Sequence, residues 1–290
     1  MTRHLARSSA SLVAALLVSA SLSAQTKIAL RKNSFTPSQD VQLGRQAAAE
    51  VRQQLPMLND SPTDALVETI GRRLVAAVPA RLGQPAFRYS FDVVNLREIN
   101  AFALPGGPMF LHRGMLQAAR TDDEVAGVMA HELGHVVLRH GTLQAAKAQK
   151  FQIGAIAGQV LGAIVGGQKG AIIAQGSQIG LGTYFLKYSR EYEREADVLG
   201  AQLMARAGYD PRQMANMFRT IQQQGGNSGP EFLSDHPDPG NRHDAIVREA
   251  ASLKIAGAAT TGPAFDSVRA RLARMPAAPT AQQVARANQR

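Results

Sequence analysis

Cysteine is absent from all 290 residues, and so is tryptophan. Without cysteine the chain can form no disulfide, and it has no thiol to carry a lipid anchor behind a leader. Aromatic residues make up only 5% of the chain, with no cluster on which bases could stack. The arginines are scattered. These features argue against nucleic acid as a partner, and the net charge of +10 reads first as solvated surface charge. No apolar run is both long and uninterrupted enough to span a membrane. There is no internal repeat and no heptad array.

What is present begins with a leader. Arg3 and Arg7 precede an apolar stretch from Ser11 to Leu22, and small residues follow up to Ala24. Residues 1–24 read as a secretory signal peptide with cleavage after Ala24, so the protein is expected to be exported, to the periplasm or beyond. Loss of Arg3 and Arg7 takes two charges from +10 and leaves +8. Such a surface favours peripheral contact with anionic envelope membranes. With 45% hydrophobic residues the remainder can bury a good core.

The hydrophobic period then divides the chain. Thr36-Pro37-Ser38-Gln39 is a capping box with proline at the first helical position, and predicts a helix over 36–55. Ser61-Pro62-Thr63-Asp64 repeats the device for a helix over 61–78. Phe87, Tyr89, Phe91 and Val93 alternate with polar residues and predict a strand. Two short strands, 101–104 and 109–112, flank Pro105-Gly106-Gly107-Pro108. Thr121-Asp122-Asp123-Glu124 opens a mostly buried helix that Gly141 is expected to end. Helices follow over 188–207, 210–223 and 238–253, and a short one carries Val268 and Leu272. The last fifteen residues, with Pro276 and Pro279, are expected to be disordered. Between these, residues 151–185 hold a single charge, Lys169, and glycines at 154, 158, 162, 166 and 170. This stripe suits tightly packed helices, or a segment that touches membrane or self-associates.

The strongest signal is His131-Glu132-Leu133-Gly134-His135. Two histidines four residues apart share a helix face, so both imidazoles can reach one metal ion. Glu132, turned off that direction, can reach a water beside it. The astacin-like pattern needs glycine at 138 and histidine at 141; Leu138 and Gly141 exclude it. Another class takes a glutamate from a second helix, followed four residues later by aspartate. Glu193 and Asp197 stand at that spacing on one face. There Glu193 can bind the metal while Asp197 accepts a hydrogen bond from a ligand histidine. Glu191 and Glu195 fall on other faces and read as solvated. His140, five residues after His135, points away from the ligand face and reads as structural, as do His112 and His243.

These residues resemble the HtpX and CAAX-prenyl-protease type of zinc metallopeptidase, the forty-eighth metallopeptidase family. The resemblance rests on His131-Glu132-x-x-His135, Glu193-x-x-x-Asp197, the upstream run from Asn100 to Gly107, and His236-Pro237 with Arg242. It covers roughly residues 36–255. It implies an α+β, mainly α, gluzincin-like fold with the active-site helix packed beside a small β-sheet. One metallopeptidase domain would occupy 25–255, with the short helix and tail at 256–290. By the same resemblance Zn2+ sits on His131, His135 and Glu193, Glu132 is the catalytic glutamate, and Asp197 supports the site. The strand of Met109, Phe110 and Leu111 is implied as the substrate-binding edge. His236 is implied near the zinc, either plugging the open position or stabilising an oxyanion, and Arg242 is a candidate for oxyanion or structural support. The chain looks most like the soluble periplasmic branch, without the helical-repeat domain found there. The expected partners are protein or peptide substrates, in cell-envelope quality control. Two rivals stand beside this reading. One is a chaperone-like binding module with a plugged zinc site, against which an intact Glu132 argues. The other is a membrane-associating protein acting through residues 151–185.

Overall fold

In a computed structural model, which describes residues 25–152, 188–224, 231–238, 240–257 and 262–288, most helix-start signals act where they stand. Helix α1 (Pro37–Gln54) is capped by Thr36, whose side chain accepts from the Gln39 N–H while the Gln39 side chain accepts from the Thr36 N–H. Helix α2 (Ser61–Ala76) differs by one residue: its cap is Asp60, not Ser61. The Asp60 carboxylate accepts from the Thr63 N–H at 3.3 Å, the Thr63 hydroxyl at 2.6 Å and Arg271 Nε at 2.7 Å. A carboxylate at the cap, beside the positive helix end, is the stronger acceptor.

Burial alone would raise the Asp60 pKa, but the bonds from Thr63 and Arg271 outweigh it and hold the carboxyl below its ordinary value. Its contribution is therefore complete above the unfolded carboxylate pKa and fades as the pH falls below it. Asp60→Ala is expected to cost about 1–2 kcal/mol near neutral pH. Paired thermal melts check this: the gap between variant and wild type should narrow in acid, and a gap constant with pH would contradict it.

Strands β1 (Ser90–Val94), β2 (Ala101–Ala103) and β3 (Pro108–His112) form one sheet in the order β1-β3-β2. Strand β3 runs parallel to β1 and antiparallel to β2, with Phe102 opposite Phe110. The turn between β2 and β3 needs its glycines: Gly106 and Gly107 have φ of 78° and 130°, and a Cβ on Gly106 would lie 2.6 Å from the Val41 Cα. This topology corrects one expectation. Met109, Phe110 and Leu111 are buried in the central strand, not at an edge. A strand hydrogen-bonded on both sides has no ladder groups left for a peptide. The outer strands are β1, whose other side is partly taken by the Met57–Val94 bridge, and β2.

Helix α3 (Arg113–Ala118) leads into α4 (Asp122–Val137), capped by Thr121. Every residue over 124–137 is buried, and α4 packs against α2, β2, α6 (Arg190–Ala207) and α7 (Arg212–Gln224). Gly141 does not end it. The helix stops at Val137, Arg139 takes the left-handed region at φ 62°, and α5 (His140–Gln152) starts at once. Arg139 is held there by bonds to Asp40 and to the Phe35 carbonyl, both 2.6 Å. Beyond α7 come α8 (Glu231–Asp235), α9 (Arg242–Ala251) and α10 (Gly262–Arg274).

The tail expected to be disordered is instead docked: α11 occupies Ala281–Asn288, and Ala281 and Val284 pack on a small core around Phe102 and Phe110. Arg113, itself buried, donates to the carbonyls of Leu272, Met275 and Pro276, which secures the entry to this segment. Among the described residues no helix is long and apolar enough to cross a membrane. The leader at 1–24 and the glycine stripe lie outside the described residues.

Candidate metal centre

Helices α4 and α6 cross where neither carries bulk. A Cβ on Gly134 would lie 3.0 Å from the Ala196 carbonyl oxygen, and one on Gly200 would lie 3.1 Å from the His131 nitrogen. This close approach brings Glu193 and Asp197, on α6, up to His131 and His135, on α4. His131 Nε2 lies 3.1 Å from His135 Nε2 and 3.4 Å from Glu193 Oε2; His135 Nε2 lies 3.4 Å from Glu193 Oε1. Ligands about 2.0–2.1 Å from a tetrahedral zinc ion stand about 3.3 Å from one another. The two imidazole nitrogens and the Glu193 carboxylate, which turns one oxygen to each of them, already stand near that spacing, and two imidazoles with a carboxylate are a donor set zinc prefers.

A fourth donor joins them. His236 follows α8 and stacks on Phe232 (ring centroids 4.5 Å apart). Its Nδ1 is 3.1 Å from His131 Nε2 and 3.1 Å from Glu193 Oε1. The ligand atoms of His131, His135, Glu193 and His236 all lie within 4.8 Å of one another, and all four residues are buried. Glu132 stands beside this cluster. Its Oε1 is 3.3 Å from His236 Nε2 without the alignment of a hydrogen bond, and has no hydrogen-bond partner. The Ala103 backbone N–H donates to the same carboxylate.

Asp197 Oδ1 is 2.9 Å from His131 Nδ1, so the other ring nitrogen faces the ligand cluster. Arg242 runs behind both acids: Nη2 donates to Asp197 at 2.7 Å and to Glu193 at 3.2 Å, and the guanidinium lies 3.8 Å from the Phe218 ring centroid. Burial pushes the His135 imidazole well below its ordinary pKa, keeping it neutral, the form that ligates. For Glu193 burial opposes ionisation, but His236, His131 and His135 outweigh it and hold the carboxyl well below the usual range. Burial also works against a charged His236, yet Glu132 and Glu193 lift it to about 9. The Glu132 carboxyl is pushed up by burial, against the pull of His236 and His131.

The structure thus gathers His131, Glu132, His135, Glu193, Asp197, His236 and Arg242, and leaves Met109, Phe110 and Leu111 in the sheet centre. It also adds residues that spacing did not reveal. Tyr188 stacks on His135 with ring centroids 4.0 Å apart. His140, read as pointing away, has its Nδ1 3.1 Å from His135 Nδ1. Five positions on an unbroken helix would diverge, but the kink at Arg139 turns His140 back. Glu195, read as solvated, lies 3.2 Å from His140 Nε2. No signal in the sequence marked that kink, since Arg139 is not a residue that breaks helices.

Residues 62–250 match Peptidase family M48. The beta-barrel assembly-enhancing protease of Escherichia coli (strain K12) is 30% identical over 210 residues, which covers 70% of this chain and 42% of that protein. The mitochondrial metalloendopeptidase OMA1 of Arabidopsis thaliana is 35% identical over 164 residues, covering 57% of this chain and 32% of the relative. OMA1 of Saccharomyces cerevisiae is 35% identical over 148 residues, covering 48% and 39%. The chain spans less than half the length of these curated relatives.

Proposed function

The chain belongs to peptidase family M48, and on that footing we propose that it is a zinc-dependent metalloendopeptidase that cleaves protein chains. The observation that carries this reading is the donor triangle of His131, His135 and Glu193 at zinc spacing, with an unpartnered Glu132 oxygen beside it. Zinc held by these residues would supply Lewis acidity for the scissile carbonyl and would make a water there more acidic, with a pKa towards ~7. The chain's own residues do the rest. Glu132 Oε1 takes the proton of the attacking water and returns it to the departing amine. Asp197 fixes His131 in the tautomer whose Nε2 ligates, and Arg242 balances the charge of Asp197 and Glu193.

Substrate alignment falls to β2. Leu104 donates to the Pro108 carbonyl at 2.7 Å and His112 to the Asn100 carbonyl at 2.9 Å. Pairs on an antiparallel ladder alternate, so Ala101 and Ala103 turn their backbone groups away from β3; their N–H groups meet the Asn100 side chain and Glu132, which leaves the two carbonyls for a peptide. Ala103 lies on the Glu132 side. A peptide added along this edge is read through its main chain, which requires an extended, unfolded segment and tolerates many sequences. This favours misfolded or misassembled proteins as substrates. The basic leader and the relatives named for β-barrel assembly favour the cell envelope, with the protein exported to the periplasm. The placement of His236 among the ligands favours a resting state in which it occupies the fourth position, so that the protease is closed until the α8 loop moves.

The test is zinc content together with degradation of an unfolded protein by the purified chain. A single zinc per chain, cleavage of the unfolded but not the folded substrate, and loss of cleavage on chelation are expected. A protein that binds no zinc overturns the metal centre. One that binds zinc but cleaves nothing, even as His236→Ala, overturns the peptidase reading.

A further inference from the structure

The two ligand histidines are backed differently. His131 meets the Asp197 carboxylate directly, whereas His135 meets another imidazole. His140 Nδ1 is 3.1 Å from His135 Nδ1, and His140 Nε2 is 3.2 Å from Glu195 Oε2. His140 is fully buried and stacks on Tyr192, with ring centroids 4.3 Å apart and planes within 10°. Glu195 is in turn gripped by Arg31, whose Nη2 donates to Oε1 at 2.6 Å and whose Nε donates to Oε2 at 3.3 Å. Arg31 also reaches Glu191 at 2.6 Å.

We propose that Arg31, Glu195 and His140 form a hydrogen-bonded chain that positions His135 and fixes which of its nitrogens binds the metal. The proposal rests on reading the cluster as a zinc centre. One condition then orders every proton. A ligating nitrogen carries none, and His135 Nε2 is the nitrogen that faces His131 and Glu193. The proton of the neutral His135 ring therefore sits on Nδ1 and points at His140. Two Nδ1 atoms can share only one hydrogen, so His140 Nδ1 accepts. The His140 proton then lies on Nε2 and is donated to Glu195 Oε2. Arg31 holds that carboxylate in place through two donors. The result is a carboxylate–histidine–metal arrangement with one imidazole inserted. His140, Glu195 and Arg31 are positioning residues and touch no substrate.

The chain has a further structural property: its outer end belongs to the segment before α1. Gln202 donates to the Thr26 carbonyl, Arg81 to the Ile28 carbonyl, and Asn33 to Thr142, so residues 26–33 are tied to α6, to the turn after α2 and to α5. This strap carries Arg31 to Glu195 and so takes part in ordering the metal ligand.

The direct test is the histidine tautomer pattern, read by long-range 15N–1H NMR on the zinc-loaded wild-type protein. Protonation at Nδ1 of His135 and at Nε2 of His140 is expected; a proton on Nδ1 of His140 overturns the proposal. The second measurement is zinc affinity by chelator competition. His140→Phe keeps the stack on Tyr192 but cannot accept, and is expected to bind zinc ~10–100-fold more weakly. Glu195→Gln can still accept from His140 and should lose less than Glu195→Leu. Arg31→Gln, at an exposed site, should lose least. Unchanged affinity in His140→Phe with zinc bound normally by the wild type sinks the relay alone, whereas absence of zinc from the wild type sinks the metal centre beneath it.

Discussion

Changing Glu132 to glutamine lowers peptide-bond hydrolysis by ~10²–10⁴-fold and leaves the zinc content unchanged. The separation of these two readouts follows from the geometry. The donor atoms that stand near zinc spacing belong to His131, His135 and Glu193, and Glu132 contributes none of them. Glutamine has nearly the same volume, so buried α4 keeps its packing, and its amide oxygen can still accept from the Ala103 N–H. What it cannot do is take a proton. The carboxylate oxygen placed to do so, Oε1, is buried and has no hydrogen-bond partner. Initial rates on an unfolded protein, with zinc measured on the same samples, decide the matter. A loss smaller than tenfold would place the base elsewhere, and loss of zinc with activity would make Glu132 part of the ligand scaffold.

His236→Ala raises the rate. A ring nitrogen 3.1 Å from both His131 Nε2 and Glu193 Oε1 stands where the fourth ligand of a tetrahedral ion belongs. Its other nitrogen is 3.3 Å from the Glu132 oxygen. On the proposed reading, one imidazole would block both the open coordination position and the base. If the open form is a minor state of ~0.1–10%, removing the plug raises turnover by ~10-fold or more at saturating zinc. The opposite sign is equally informative: an oxyanion-stabilising role predicts a fall of ~10²–10³-fold. Steady-state rates at several zinc concentrations separate the signs from any change in metal occupancy.

Much of this centre was legible in the sequence because it depends on local spacing. His131 and His135, and Glu193 and Asp197, are pairs at four residues on helices whose caps, Thr121 and Ser189, act as the residue types dictate. Hydrophobic alternation likewise marked the first strand, and the Pro105-Gly106-Gly107-Pro108 turn marked the two short ones beside it. Pairing order was not legible. Nothing in Met109, Phe110 and Leu111 says whether their strand lies at the centre or the edge, because burial on both faces and burial beside a free edge leave the same apolar run. The tail was misjudged for a related reason. Pro276 and Pro279 mark where no helix can run, but not that Arg97 and Arg113 bond the backbone there through Pro279 and Pro276. The relay behind His135 depends on a left-handed residue, Arg139, stabilised by Asp40 from a distant helix. Such a kink belongs to tertiary structure and leaves no local mark.

The crossing at Gly134 and Gly200 bears on how the fold is held together. It lets side chains from two helices, separated by a long stretch of chain, converge on one point. An ion at that point is a cross-link, and this chain has no cysteine to make another. Since the unfolded chain cannot assemble the donor set, ion binding adds directly to folding stability, by ~4 kcal/mol at a free concentration a thousand times Kd. Metal supply and folding are therefore one linked equilibrium: scarcity of the ion would withdraw catalysis and the staple between α4 and α6 together.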